Sequence, residues 1–321
     1  NCGTMKNSLT RCHIIIRGRH IMNSKAATLF ALLSTMILWG LSFIGIKIAL
    51  QSFSPIIYMF LRFSLASLIL FFILMIRGFP VLDKATHCKL FLTGLFEPGL
   101  YYYFETLGLT RTSASKASII LATVPIMVMI LARIFLQEPI HKRSLFAIVM
   151  SVSGICVLIL GQSNMAELHT SIIGDMLILG AALSAALYMV CARSLGAQLS
   201  SLVITSYQMF YGTLLFLPLF IYKYPTHSWG TVTSESFAAL IFLVLFCSVA
   251  AYFLYNYALT QISASRAAVF LNGVPLVTAI SAALVLGERL TSLQISGGLM
   301  IITAVFIANL PLNGRSRVKS G

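Results

Sequence analysis

Glu97, Tyr101 and Glu105 are spaced four residues apart, so they share one face of a helix, with Tyr102 at its margin. Two carboxylates flanking a phenol can pass protons or wall a polar cavity. All lie in an apolar run, where an ionisable group costs about 2.5–3.5 kcal/mol on insertion scales. Each carboxylate therefore asks for a reason. Glu97 has two readings: one wall of a cavity, or half of a buried ion pair that holds helices together. Arg62, with Tyr58 one turn before it, is the expected partner, either neutralising Glu97 or holding a solute's carboxylate. The run Glu97-Pro98-Gly99 also loosens the helix where an opening motion needs compliance.

Other residues add to this set. Trp39 and Phe43 form an i, i+4 aromatic pair, and Tyr188 lies centrally in a later run; all three can stack on an apolar solute or serve packing. Gln208 matches Arg62 at a shift of 146 residues, and Tyr252 and Tyr255 match Tyr102 and Glu105 at a shift of 150. Asn272 offers a buried amide, for a solute or for a bond between helices. The carboxylates have no second copy, so any charge-dependent step belongs to the first half. No H-E-x-x-H, C-x-x-C, G-x-S-x-G or phosphate-loop spacing occurs. We expect no catalytic residue, no metal and no cofactor.

The elements that position these residues are membrane spans. Of 321 residues, 59% are apolar and only 9% charged, and the mean hydropathy is +0.94. A soluble globular chain is about a quarter charged. Each spanning helix needs about 20 apolar residues. Apolar runs and their breaks place spans near 27–50, 55–77, 89–110, 113–136, 143–161, 174–194, 201–222, 236–259, 263–286 and 291–310. Ser113 and Ser263 read as helix N-caps. The net charge of +14 marks loops, not a nucleic-acid face. With the amino terminus inside, the cytoplasmic side collects more Lys and Arg than the other, so both termini are expected there. Residues 1–26 form a basic extension without a fold, and Met22 reads as the natural start. A linker covers 162–173 and a basic tail 311–321.

Sliding the chain by 150 residues aligns 108–138 with 258–288 without a gap, with 13 identities in 31 positions. Ser-Ala-Ser, Pro125 and Glu138 find Ser-Ala-Ser, Pro275 and Glu288 in register. Five spans per half return the second half to the bilayer in the opposite sense. The expected fold is therefore an all-α integral membrane protein, with ten transmembrane helices in two inverted five-helix repeats, 27–161 and 174–310. Such repeats characterise secondary transporters, with the site near midplane. Pro125 and Pro275 interrupt matching helices and are the expected hinges. Glu138 and Glu288 lie beyond them, about 20 Å along a helix, and read as structural turns near the N-terminus of the next helix. Lys47 and Arg193, matched at a shift of 146, are expected to reach the interface.

Ser-Ala-Ser-Lys-Ala-Ser at 113–118, with Pro125 and Glu138 and their copy at 263–288, resembles the EamA family of the drug/metabolite transporter superfamily. Trp39-Gly40 and Arg62-Phe63 add to the likeness. The resemblance covers roughly residues 27–310 and implies transport of small metabolites, often outward. The expectation is a plasma (inner) membrane exporter of amino acids or their derivatives, working by alternating access. Proton exchange through Glu97 or Glu105 and facilitated diffusion both stay open, as do monomer and homodimer. An importer or nucleotide-sugar carrier is the alternative within transport. A receptor or scaffold without transport is the alternative outside it.

Overall fold

The computed structural model describes residues 25–109, 111, 117, 120–160, 172–226, 232–286 and 291–309. The expected N-cap at Ser113, the turn at Glu288, most of the linker, residues 1–24 and the tail 311–321 lie outside these, whereas Lys25 and Ala26, expected in the unfolded extension, begin the first helix. Among the described residues every regular element is a helix. They are α1 (Lys25–Ala49), α2 (Pro55–Arg77), α3 (Lys84–Gly94), α4 (Tyr101–Leu109), α5 (Val124–Phe135), α6 (Lys142–Leu160), α7 (Ile172–Leu195), α8 (Ser201–Lys223), α9 (Ser234–Phe242), α10 (Ala251–Gln261), α11 (Ala264–Leu271), α12 (Val274–Leu286) and α13 (Ser292–Asn309). Wide helical turns at Leu95–Leu100 and Leu243–Ala250 join α3 to α4 and α9 to α10.

Among the described residues, six stretches are long and apolar enough to cross a membrane: Lys25–Ala49, Pro55–Arg77, Lys142–Leu160, Ile172–Leu195, Ser201–Lys223 and Ser234–Gln261. The 25 residues of α1 extend roughly 37 Å at 1.5 Å per residue, enough for a hydrocarbon layer of about 30 Å. Their composition inverts that of a water-soluble bundle. On α2, Leu68, Phe72 and Ile76 form an outward stripe at i, i+4 spacing, 59–70% exposed. Phe63, Ala66, Leu70 and Leu74 on the other face are buried. An apolar outer stripe of this kind marks a surface covered by lipid or by another protein.

Helix ends carry local punctuation. Pro55 opens α2, where its missing N–H costs nothing. Asp83, Ser200 and Thr233 cap α3, α8 and α9 by accepting from Thr86, Val203 and Ser236 amides. The bond from Thr86 holds the exposed Asp83 carboxyl below its ordinary range.

Helices from the first half of the chain pack largely on helices from the second. α1 lies against α9, α10 and α12; α2 against α8; α4 and α5 against α7; and α6 against α13. The small residues of α7 serve this packing inside the chain: Ala181, Ala182, Ser184, Ala185 and Ala186 are buried, and Gly180 lies against Phe104. Gly297 of α13 meets the backbone of Gly154 and Leu158 in α6, and a Cβ added there would come within 2.6 Å of the Leu158 amide nitrogen. Backbone cannot yield as a side chain can. Gly297→Ala is expected to destabilise the fold by about 2 kcal/mol, overpacking outweighing the better helix propensity. The thermal unfolding midpoint in detergent, which should fall by several degrees, checks this.

Candidate functional site

Glu97 has φ −148° and ψ 119°, an extended residue inside an otherwise helical stretch. Pro98, with no N–H to give, follows it. The turn Leu95–Leu100 therefore swings Glu97 out of the regular helical ladder, into the centre of the bundle. Two other breaks face it. Ala122 and Thr123 form a turn just before α5, and Asn272 and Gly273 a turn between α11 and α12. Pro125 and Pro275 lie at the second residue after these breaks, so the interruptions read from the two prolines are real and matched.

A cavity of about 160 Å³ lies between the three breaks. Trp39, Phe43, Glu97, Tyr101, Tyr102, Glu105, Tyr252, Asn272 and Pro275 line it, with Leu121, Ala122, Ile155, Ala185, Met189 and Leu271 among the apolar groups. The Tyr252 hydroxyl donates to Glu97 Oε1 at 2.7 Å, and the Tyr101 hydroxyl donates to Glu105 Oε1 at 2.9 Å. Trp39 donates its indole N–H to the carbonyl of Cys247 at 3.1 Å and packs on Tyr252 and Tyr255, with ring centroids 5.0 and 5.2 Å away. Asn272 lines the cavity and also donates to Ser151 Oγ at 2.7 Å, joining α6 to the break. The bond between helices expected of Asn272 is formed, and the residue also borders the cavity.

Five expected site residues do not line the cavity: Arg62, Pro125, Tyr188, Gln208 and Tyr255. The pairing expected between Arg62 and Glu97 is not formed. Arg62, 1% exposed, donates through Nε to Ser248 Oγ at 2.7 Å and through Nη1 to the Tyr58 hydroxyl at 2.9 Å. Its guanidinium carbon lies 5.3 Å from the ring centre of Phe63 and 5.6 Å from that of Tyr102. These hydroxyls and rings surround the cation behind the wall, Nη2 having no hydrogen-bond partner among the described residues, while the Tyr252 hydroxyl bonds Glu97. Tyr188, Gln208, Tyr255 and Asn256 are fully sealed. Tyr188 donates to Asn256 Oδ1 at 3.0 Å, and the Asn256 amide donates to Gln208 Oε1 and Thr205 Oγ1, each at 2.9 Å. The stacking role expected for Tyr188 is thus replaced by a hydrogen-bonded layer beside the cavity. Asn256, Thr205 and Ser248 were not singled out from the sequence; an amide and hydroxyls inside apolar runs were the available signal.

We expect Arg62→Ala to destabilise the protein by about 3 kcal/mol, because it strands the Tyr58 and Ser248 hydroxyls and opens a void. The affinity of the folded fraction for a solute should change little. Thermal unfolding alongside binding in detergent checks both halves.

Arg193 is turned onto the ends of neighbouring helices. It donates to the carbonyls of Leu259 and Thr260 at 2.8 and 3.1 Å and pairs with Glu138 at 3.4 Å. Glu138 Oε1 also accepts from the amide of Ala264 at 3.2 Å. The carboxylate thus caps α11, not the helix that follows it in sequence. Ser263, the expected cap, makes no side-chain cap bond. The ends of α5, α7 and α10 and the start of α11 are tied at one end of the bundle. The Tyr188–Asn256–Gln208 layer lies between this tie and the cavity.

A larger cavity, about 330 Å³, lies near the opposite end between α2, α4 and α8, lined by Ser54, Met59, Tyr103, Thr106, Leu219 and Lys223 among others. It holds none of the expected site residues and no carboxylate. The smaller, central cavity is the one that gathers the ionisable groups. Among the described residues no cluster of His, Cys, Asp or Glu could hold a metal.

The model of the EamA-like transporter family matches residues 26–160 and again residues 172–310. The chain belongs to the EamA-like transporter family. A protein of Archaeoglobus fulgidus, named only as an uncharacterized transporter, is 32% identical over 292 residues, which cover 89% of this chain and 98% of the relative. A probable amino-acid metabolite efflux pump of Escherichia coli K12 is 26% identical over 302 residues, 90% of this chain and 97% of that protein. A solved crystal structure superposes with a TM-score of 0.76 at 14% identity, covering 90% of this chain and 99% of that one. That likeness concerns the fold alone. With its apolar helices, this EamA-like chain is a multi-pass membrane transporter, and the family implies a small-molecule substrate in a lipid setting.

Proposed function

We propose that this transporter exports small metabolites bearing a protonated amine, amino acids and their derivatives first, across the plasma (inner) membrane. One observation carries the reading: Glu97 and Glu105 face the same cavity, and among the described residues neither carboxylate pairs with a cation. A cavity so built favours an ammonium group at the carboxylates, with Trp39, Phe43, Tyr101, Tyr102 and Tyr252 against the body of the solute. Asn272 supplies an amide for a further polar group. The relative named as a probable amino-acid metabolite efflux pump supports the cargo class and the direction.

The mechanism we propose is alternating access between two inverted five-helix repeats, 27–161 and 174–310, joined by the linker 162–173. The breaks before Pro125 and Pro275 serve as hinges. The tied end is cytoplasmic, as the excess of Lys and Arg there supports, and both termini lie on that side. The sealed layer and the Glu138–Arg193 tie then stand between the cavity and the cytoplasm, so the present conformation belongs to the outward-facing part of the cycle. Protons are the candidate exchange partner, since a proton can neutralise Glu97 or Glu105 when the amine has left.

A nucleotide-sugar carrier is disfavoured, because a diphosphate would meet two carboxylates and no accessible cation. A receptor or scaffold has no need of a polar cavity at its centre. Overexpression should raise the growth tolerance of cells to toxic amino-acid analogues and amines. Unchanged tolerance across such a panel, with the protein present in the membrane, would contradict export.

A further inference from the structure

Each of the two wide turns is held by a side chain from the other half of the chain. Gln208 on α8 donates through Nε2 to the carbonyl of Glu97 at 2.9 Å. At a shift of 146 residues Gln208 falls on Arg62, and Arg62 donates to Ser248, within the turn Leu243–Ala250, at 2.7 Å. At a shift of 150 residues the two turns coincide. Two residues matched in the repeat therefore each bond a matched turn of the other half, Gln208 by its amide to a backbone carbonyl and Arg62 by its guanidinium to a side-chain hydroxyl.

The Gln208 bond has a direct consequence for Glu97. An extended residue followed by proline takes its carbonyl out of the helical ladder, and a buried carbonyl needs a donor from elsewhere. Gln208 is that donor. Its own orientation is fixed, because its Oε1 accepts from the Asn256 amide at 2.9 Å. Asn256 is fixed in turn, donating also to Thr205 Oγ1 and accepting from Tyr188. Turning Gln208 over breaks two bonds at once, and turning Asn256 over breaks three. The register counterparts of Asn256 and Thr205 are Thr106 and Met59, which meet only at 4.0 Å and border the larger cavity. The directed network belongs to the half that supports the carboxylate.

We propose that Gln208 is a positioning residue: it pins the backbone of Glu97 so that the carboxylate faces the cavity, and Asn256 holds Gln208 in the donating orientation. Gln208 does not touch the solute. The proposal rests on Glu97 being the solute-facing carboxylate, and the test separates the two ideas.

The full-length protein in liposomes is treated with a membrane-permeant carbodiimide, and labelling of Glu97 relative to Glu105 is read by peptide mass spectrometry. Gln208→Met, which keeps the length but has no amide donor, should lower the Glu97:Glu105 ratio at least threefold against the unaltered protein at every pH. Gln208→Glu should behave differently. Its protonated carboxyl donates to the Glu97 carbonyl and accepts from Asn256, so the ratio recovers at acidic pH. Its ionised form has no donor, so the ratio falls at alkaline pH. A ratio equal to that of the unaltered protein in both variants, or a Gln208→Glu profile that follows the unaltered protein or Gln208→Met at all pH values, overturns the proposal. If Gln208→Met does not accumulate, the near-isosteric Gln208→Glu carries the test through its pH profile. Protection of Glu97 by amines in the unaltered protein tests the solute reading separately: if no amine protects, that reading fails while the labelling ratio still judges the pin.

Discussion

Glu97→Gln is expected to weaken transport of an amine-bearing solute about 100-fold and to leave the fold standing. The substitution is nearly isosteric, and the amide oxygen still accepts from Tyr252, which now bonds Glu97 Oε1 at 2.7 Å. What disappears is the negative charge. A hydrogen bond to a charged group contributes about 1.5–3 kcal/mol, and about 2.8 kcal/mol corresponds to two decades of affinity. The measurement is the half-saturating concentration for uptake into liposomes, with and without a pH gradient. If Glu97 is the proton carrier, the variant loses its response to the gradient. Unchanged gradient dependence would eliminate Glu97 from that role and leave Glu105 as the remaining carboxylate of the cavity.

Arg193→Ala should open the tied end. Arg193 holds the carbonyls of Leu259 and Thr260 and, through Glu138, the start of α11. The ion pair is partly exposed, at 30% and 13% for the two side chains, and contributes little by itself. The two charge-assisted bonds to carbonyls matter more, so the loss is about 2 kcal/mol, roughly 30-fold in the ratio of closed to open forms. A cysteine at Ala258, which is fully buried just before Leu259, reports the change in a background without the native cysteines. Thiol labelling at that position should accelerate by about the same factor in Arg193→Ala. Equal labelling rates would show that the tie does not hold this end shut.

How much of this could be read from the residues depended on what each signal reports. Apolar runs report the length of a helix and its need for lipid, and α1, α2, α6, α7, α8 and the stretch from α9 through α10 lie where those runs placed spans. The paired Pro125 and Pro275 marked the breaks because a missing N–H is a local property. The i, i+4, i+8 spacing of Glu97, Tyr101 and Glu105 put all three against one cavity, even though the helix opens at Glu97 itself. Partnerships across helices were not legible. Charge and position alone suggest Arg62 for Glu97 or for a solute carboxylate, yet hydroxyls and aromatic faces from three elements surround it and Nη2 has no hydrogen-bond partner among the described residues. Tyr188 and Gln208 look the same in sequence whether they face a solute or one another, and only the position of Asn256 decides that. Glu138 was placed at an end correctly, but the helix it caps is 126 residues away in sequence.

The central claim is that a solute crosses through the carboxylate-lined cavity between the two halves. Counterflow tests it most directly: liposomes containing the purified protein are loaded with an unlabelled amino acid or amine, and entry of the labelled compound is followed from outside. A saturable overshoot is expected for amine-bearing solutes, lost in Glu97→Gln, and none for nucleotide sugars. No overshoot for any amine, or an equal one in Glu97→Gln, would contradict it.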